Sequence, residues 1–383
     1  MESAETQTQK SASMKSDLIL DSLEIQGFRG FRHLRIEKLG RVNLIVGKNS
    51  VGKTALLEAL WLYASRGSTS VVWEILESRD EGVRPTSGRE FEENMKDRPL
   101  AIKQLFYGRK DVREFLSSIL IGPIGYTSNS LSIKPRWYET LYAPTFGPHL
   151  ESINPEQLRT ANNPVLAIAT QMSGQPEIES RLIRESYLPL ETDSTRYIFI
   201  PAGGLPPTEV EALWSSISLT NLETNVIDAL KIIDKRIERV NLLSDPNRGK
   251  PLERIPKVKI EGIAEPLFFR SFGDGMNRLF GIALALVNAK DGMLLIDEVE
   301  NGLHYSVQPD VWKLIFETAR NLNVQVFATT HSWDCIKAFQ KAAAESPEDG
   351  LLVRLAERES NIIADVFSEK ELGIATKRQI ELR

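Results

Sequence analysis

Hydrophobic and polar positions divide the chain into short alternating runs, a few fully apolar strands and two strongly apolar helices. Leu23, Ile25 and Phe28 alternate with polar residues and predict a strand ending at a glycine-containing turn. HLRIEKL predicts a second, with Leu34 and Ile36 on one face. Asn43-Leu44-Ile45-Val46 is a short apolar run of the kind expected for a strand buried on both faces, and it leads into Gly47. From Lys53 to Ala64 the chain is apolar all round and free of breakers, which predicts a helix. Between residue 65 and about 191, SVVWEILESR and DVREFLSSIL read as helices. SLSIKPRW, PVLAIATQM and EIESRLIRE read as strands, the last two joined by a Ser173-Gly174-Gln175-Pro176 turn. Scattered prolines make this region an expected antiparallel lobe with long loops. RYIFI (196–200) predicts a strand. Leu222, Val226, Ile227, Leu230, Ile233 and Ile237 keep a 3–4 spacing that predicts helix from Pro207 to about Leu243. PKVKIEG and EPLFFRS read as paired strands, Ser271 as the N-cap of a long apolar helix, and GMLLIDE and VQVFATTH as buried strands. Two strand-like pieces flank Arg358-Glu359-Ser360-Asn361, and EKELGIATKRQIELR reads as an amphipathic terminal helix.

Composition narrows the class. The chain has 383 residues, 42% hydrophobic and 26% charged, which is ordinary globular usage and enough for a substantial core. Residues 1–17 are polar and predict a disordered tail. With 47 Lys+Arg against 52 Asp+Glu, the net charge of −5 excludes a uniformly basic coat but not a local basic groove. A single cysteine, Cys335, excludes a disulfide framework and a cysteine zinc site. Four histidines, His33, His149, His304 and His331, argue against a multi-histidine metal site. No uncharged apolar run approaches the roughly 20 residues that cross a bilayer, and the first residues lack a secretory apolar stretch. A cytoplasmic protein without a membrane segment is expected.

Candidate chemistry begins at Gly47-Lys48-Asn49-Ser50-Val51-Gly52-Lys53-Thr54, a full G-x-x-x-x-G-K-[ST] loop between an apolar strand and a helix. Its amides and the helix N-terminus would wrap a phosphate chain. Lys53 would reach the β/γ-phosphates, and the Thr54 hydroxyl would ligate Mg²⁺. In Met293-Leu294-Leu295-Ile296-Asp297-Glu298 an apolar strand ends in two acids, which buried charge makes costly without a partner. Mg²⁺ supplies one: Asp297 would hold the metal or its water, and Glu298 would polarise the attacking water. His331 ends the next apolar strand, one helix later. A βαβ crossover would bring it to the same sheet edge, as a γ-phosphate sensor or as a histidine satisfied locally. Ser271-Phe272-Gly273-Asp274-Gly275 reads as a backbone cradle or as a simple capped turn.

These pieces, in this order, resemble the ABC-type ATPase heads of the RecF, SMC/Rad and OLD groups, an α/β P-loop NTPase fold. LEIQGFRGFRHLRIEKL…VNLIVGKNSVGKTALLEAL is similar to the β-rich N-terminal lobe. SFGDGMNR…GMLLIDEVENGLH…VQVFATTHSWD is similar to the signature, Walker B, D-loop and switch-histidine set of the mainly parallel C-terminal lobe. The resemblance covers roughly residues 18–64 and 256–340 and implies one split head over 18–383. It implies that two heads sandwich two ATP molecules, each site completed by Ser271, Gly273 and Gly275 of the other copy. Asp274 departs from the usual glycine and would repel a γ-phosphate unless it faces away; Arg278 one turn later would offset it. Gln104 is the candidate for the Mg²⁺-contacting glutamine. The helical stretch is too short for the arms of SMC/Rad relatives. The stretch after residue 340 is too short for a Toprim nuclease domain, so a separately encoded effector such as a nuclease is expected. Two roles follow. One is a DNA-binding ATPase controlling that effector in genome maintenance or anti-phage defence, with Arg29, Arg32, Arg35, Lys38 and Arg41 read either as a sheet face for phosphate contacts or as a solvated strand face. The other is a nucleotide-dependent scaffold or sensor that hydrolyses slowly and never touches DNA.

Overall fold

The computed structural model describes residues 18–82, 101–109, 118–125, 129–143, 147–154, 156–161, 164–181, 195–244, 254–346 and 349–378. The expected tail at 1–17 lies outside them. At the centre is a six-stranded sheet in the order Asn361–Phe367, Gly350–Arg358, Val42–Val46, Gln325–Thr329, Met293–Ile296, Tyr197–Ile200. Its strands run parallel except for the Asn361–Phe367 edge. The three strands buried along their whole length, Val42–Val46, Gln325–Thr329 and Met293–Ile296, occupy its middle because both faces are covered. Leu44, Val46, Leu294, Ile296, Val326 and Ala328 face one core; Ile45, Met293, Leu295 and Phe327 face the other.

The first core is closed by the helices Pro207–Ile217, Asn221–Leu230, Asp274–Asn288, Gln308–Asn321 and Trp333–Glu345. The second is filled by the helix Lys53–Ala64, nearly all of which is buried, between the central sheet and an antiparallel one. A helix that is apolar all round needs cover on two sides, and this position supplies it. That antiparallel sheet runs Phe31–Ile36, Leu23–Phe28, Ile119–Gly122, Leu131–Ala143, Pro164–Met172, Ile178–Arg181, with Gly147–Ile153 added to the long strand. The expected hairpin through Ser173–Pro176 is present. The helix expected over DVREFLSSIL lies mostly outside the described residues, and its end, Ile119–Gly122, is a strand.

The helix expected from Pro207 to Leu243 is corrected. It breaks at Leu219, whose φ of 65° is left-handed, and restarts with Thr220 capping the N–H of Leu222. From Ile237 to Ser244 the chain is a strand, antiparallel to Arg254–Ile260, which also pairs with Leu267–Phe268. Val240 and Leu242 turn inward with Val258 and Ile260, so period 2 replaces period 3.6. The N-cap expected at Ser271 is corrected as well. Residues Phe269–Phe272 form a short 3-10 turn and the helix begins at Asp274 behind Gly273, whose φ is 82°.

The basic run does not line one face. Arg29 sits at the hairpin tip and is buried, its Nε 2.6 Å from Glu58 and its NH1 2.8 Å from Glu81. Arg79 pairs with the other oxygen of Glu58 at 2.6 Å. Arg35 lies opposite Glu24 and 3.5 Å from Glu37, and Arg41 bonds Asn323. Burial pushes the Glu58 carboxyl up, and the charges of Arg29 and Arg79 pull it back. Arg29→Ala is therefore expected to cost about 3 kcal/mol in urea unfolding, because a buried carboxylate loses a partner. Adding Glu58→Gln should recover part of that loss; a double variant no more stable than the single one would assign the effect to packing of the hairpin tip.

Candidate nucleotide site

The phosphate loop lies at the C-terminal edge of the parallel strands. Gly47, Ser50 and Gly52 have φ of 148°, 63° and 103°. A Cβ on Gly47 would meet the Leu355 carbonyl oxygen at 2.5 Å, so this turn tolerates no side chain. Lys48, Asn49 and Ser50 are exposed at its crest. Lys53 opens the following helix and is buried. Its ammonium donates back to the carbonyls of Gly47 at 2.7 Å and Lys48 at 3.0 Å. Desolvation pushes its pKa down; Asp297, Glu298 and Glu300 oppose that.

Asp297 and Glu298 leave the Met293–Ile296 strand at the same edge. The Thr54 hydroxyl donates to Asp297 Oδ2 at 3.1 Å, and the Thr329 hydroxyl donates to Asp297 Oδ1 at 2.6 Å. Thr329 also accepts the backbone N–H of Glu298 at 2.8 Å. This follows from register: Ile296 pairs with Ala328, so the next residues, Asp297 and Thr329, meet. Glu298 has a φ of 48°, a conformation that costs a non-glycine residue about 1 kcal/mol or more. The turn points its carboxylate out of the sheet. Asn301 Nδ2 donates to its Oε2 at 2.6 Å, and His331 Nε2 lies 3.5 Å from its Oε1.

Arg278 reinforces this turn from beneath. Its guanidinium donates to the carbonyls of Pro201 at 2.9 Å, Asp297 at 2.7 Å and Glu298 at 2.9 Å. Burial lowers its pKa, and the charges of Glu300, Asp297 and Glu298 oppose that. It is turned inward, so the expected offset of Asp274 by Arg278 is corrected. Thr329 was missed in the sequence, and Glu300 and Asn301 were read there only as part of the D-loop stretch; strand register and the turn after Glu298 bring the three to the edge.

The structure brings Lys53, Thr54, Asp297, Glu298 and His331 together. Ser271, Gly273 and Asp274 stand apart on the surface. Among the described residues no hydrogen bond or ion pair joins them to the phosphate loop. A Cβ on Gly275 would meet the Gly302 carbonyl at 2.9 Å, so the helix start packs closely on the turn at Gly302. Gln104 lies in the short turn Lys103–Leu105, whose Leu105 carbonyl accepts the Arg29 N–H, next to the hairpin tip. Mg²⁺ fits the donor set: a hydroxyl and a carboxylate converge as hard oxygens. Three carboxylates, Asp297, Glu298 and Glu300, also act on the two buried cations Lys53 and Arg278.

A parallel sheet carries the glycine loop, the acidic pair and the histidine at one edge, with a glycine-rich helix start facing outward, the arrangement that the resemblance to ABC-type ATPase heads implies. Residues 18–111 match the family described as "AAA ATPase domain", and residues 239–334 match "AAA domain, putative AbiEii toxin, Type IV TA system". The chain is 25% identical to an ATP/GTP phosphatase of Helicobacter pylori over 358 residues, 85% of this chain and 89% of that one. Over 48 residues it is 44% identical to the DNA replication and repair protein RecF of Thioalkalivibrio sulfidiphilus, 12% of this chain and 13% of that one. An SMC head bound to the C-winged helix domain of ScpA aligns at 13% identity over 91% of this chain and 98% of its own, with a TM-score of 0.48. The two family matches and the Helicobacter pylori relative support an ATPase similar to the RecF/SMC-like ABC type. Among the described residues no helix is long and apolar enough to cross a membrane.

Proposed function

We propose that the chain binds ATP with Mg²⁺, hydrolyses it, and uses the cycle to join and release two heads. The observation that carries this reading is the continuous set of contacts from Thr54 through Asp297 and Thr329 to Glu298 and His331. Amides of Gly47–Thr54 cradle the phosphates, and Lys53 exchanges its two loop carbonyls for phosphate oxygens. Thr54 and Asp297 would hold Mg²⁺, which would supply neutralisation of phosphate charge when bound. Glu298 accepts the proton of the attacking water and His331 faces the γ-phosphate. The Helicobacter pylori relative, an ATP/GTP phosphatase by name, supports hydrolysis and makes GTP the competing substrate to measure.

Pairing rests on the outward surface that Ser271, Gly273 and Gly275 share with Gly302, His304 and Tyr305, the last 64% exposed. A second copy would cover it with its own ATP. Exposed Asp274 lies on this surface, and the partner must place its γ-phosphate away from it. Mass measured in solution with and without ATP tests pairing; a monomer at saturating ATP would remove it.

Control of a separately encoded effector, with DNA bound, is the broader role in genome maintenance or anti-phage defence. The short match to RecF supports DNA as a partner. Burial of Arg29 removes the single basic stripe and favours the scaffold reading to that extent. ATP-stimulated association with duplex DNA that falls with salt is the expected result of the DNA role. No association at low salt would leave the scaffold or sensor role.

A further inference from the structure

Glu300 lies two residues beyond Glu298, and its carboxylate is directed to the switch segment. Its Oε1 accepts the backbone N–H of His331 at 2.9 Å and of Ser332 at 3.1 Å. Among the described residues its buried Oε2 has no hydrogen-bond partner, and the residue borders Leu303, Gln308, Val311, Trp312 and Cys335. Burial, reinforced by the Glu300 charge, pushes the Cys335 thiol up to about 12. A carboxylate with one buried, unbonded oxygen is a costly way to cap a helix. The helix Trp333–Glu345 already has its cap, since the Ser332 hydroxyl accepts the N–H of Cys335 at 3.3 Å.

What Glu300 adds is a hold on residue 331 itself. The strand that leads into it is fixed by other bonds. Thr330 N–H donates to the Ile45 carbonyl at 3.2 Å, and Val299 N–H donates to the Thr329 carbonyl at 3.0 Å. Just beyond them, the Glu300 carboxylate fixes the backbone from which the imidazole projects, 3.5 Å from Glu298. We infer that Glu300 is the positioning residue for His331, setting the imidazole from its backbone without touching nucleotide. The inference rests on the reading of Glu298 and His331 as the hydrolytic pair. Misplacing a reacting group by about 1 Å costs on the order of 100-fold, so a loosened His331 has a measurable consequence.

The test is a double-mutant cycle on ATP hydrolysis by the full chain. Glu300→Ala is expected to lower kcat between about 10- and 100-fold with KM for ATP unchanged. Glu300→Gln, whose amide oxygen can still accept both N–H groups, should keep most of the rate. In a His331→Ala background, Glu300→Ala should cost nothing further. Equal losses in both backgrounds, or an unchanged kcat in Glu300→Ala, would overturn the inference while leaving His331 in place. A His331→Ala variant with undiminished kcat would instead overturn the assignment of His331 and this inference with it. Should Glu300→Ala fail to fold, Glu300→Asp takes its place, keeping the charge but withdrawing the acceptor.

Discussion

Glu298→Gln is expected to keep ATP affinity and lose turnover by at least about 100-fold, the lower end of what a positioned general base contributes. The substitution is close to isosteric. A glutamine oxygen can still accept from Asn301 Nδ2, which now bonds the carboxylate at 2.6 Å. The backbone supports also survive: Glu298 N–H on Thr329, Arg278 on the Glu298 carbonyl, and a left-handed φ that glutamine adopts with the same strain. What disappears is the basic oxygen beside His331. Loss of rate therefore reports chemistry and not a collapsed site. Because release of the paired heads requires hydrolysis in the proposed cycle, the variant should also accumulate a dimer at saturating ATP. Single-turnover hydrolysis and solution mass check the two halves separately. Turnover at the wild-type rate would remove Glu298 as the base. A stalled enzyme that stays monomeric would keep the base and remove the pairing cycle.

How far the sequence could be read depended on whether a feature was local. The apolar strands ending at Gly47, Asp297 and His331 announce themselves, because burial on both faces demands unbroken apolar runs. The βαβ spacing then places the acids and the histidine at one edge. Ile237–Ser244 failed because Ile233 and Ile237 continue a helical spacing by coincidence, while the decisive facts are a turn at Leu219 and pairing with Arg254–Ile260. Arg29 and Arg278 failed for another reason. An arginine reads as a surface charge until a fold supplies buried carboxylates or carbonyls to receive it. Arg278 carried a faint signal, since it stands in a helix buried almost continuously from Met276 to Val287. Thr329 carried none, and Glu300 and Asn301 were legible only as part of the D-loop stretch, because the contacts they make arise from register and from the turn after Glu298.

Lys53→Ala should weaken ATP binding by roughly 100-fold, about 3 kcal/mol, on truncation of one partner of a buried charged pair. The present structure explains why the loss should be this large and not larger. Without nucleotide, the ammonium is satisfied by the carbonyls of Gly47 and Lys48, so part of the gain on binding phosphate offsets bonds already made. Lys53 also counters the charges of Asp297, Glu298 and Glu300, and removing it leaves those carboxylates to repel the phosphates. Arginine should not substitute, because its wider planar fork does not fit a point-charge position under a closed glycine turn. A pH signature accompanies the wild type. Desolvation holds the Lys53 pKa below the ordinary lysine value of 10.5 in the free protein. The charged form is the one that binds phosphate, so kcat/KM for ATP should begin to fall on the alkaline side before an unperturbed lysine would titrate. Titration calorimetry with ATP and a kcat/KM profile above pH 8 test the two statements. Undiminished affinity in Lys53→Ala would mean that this loop is not where the phosphates bind.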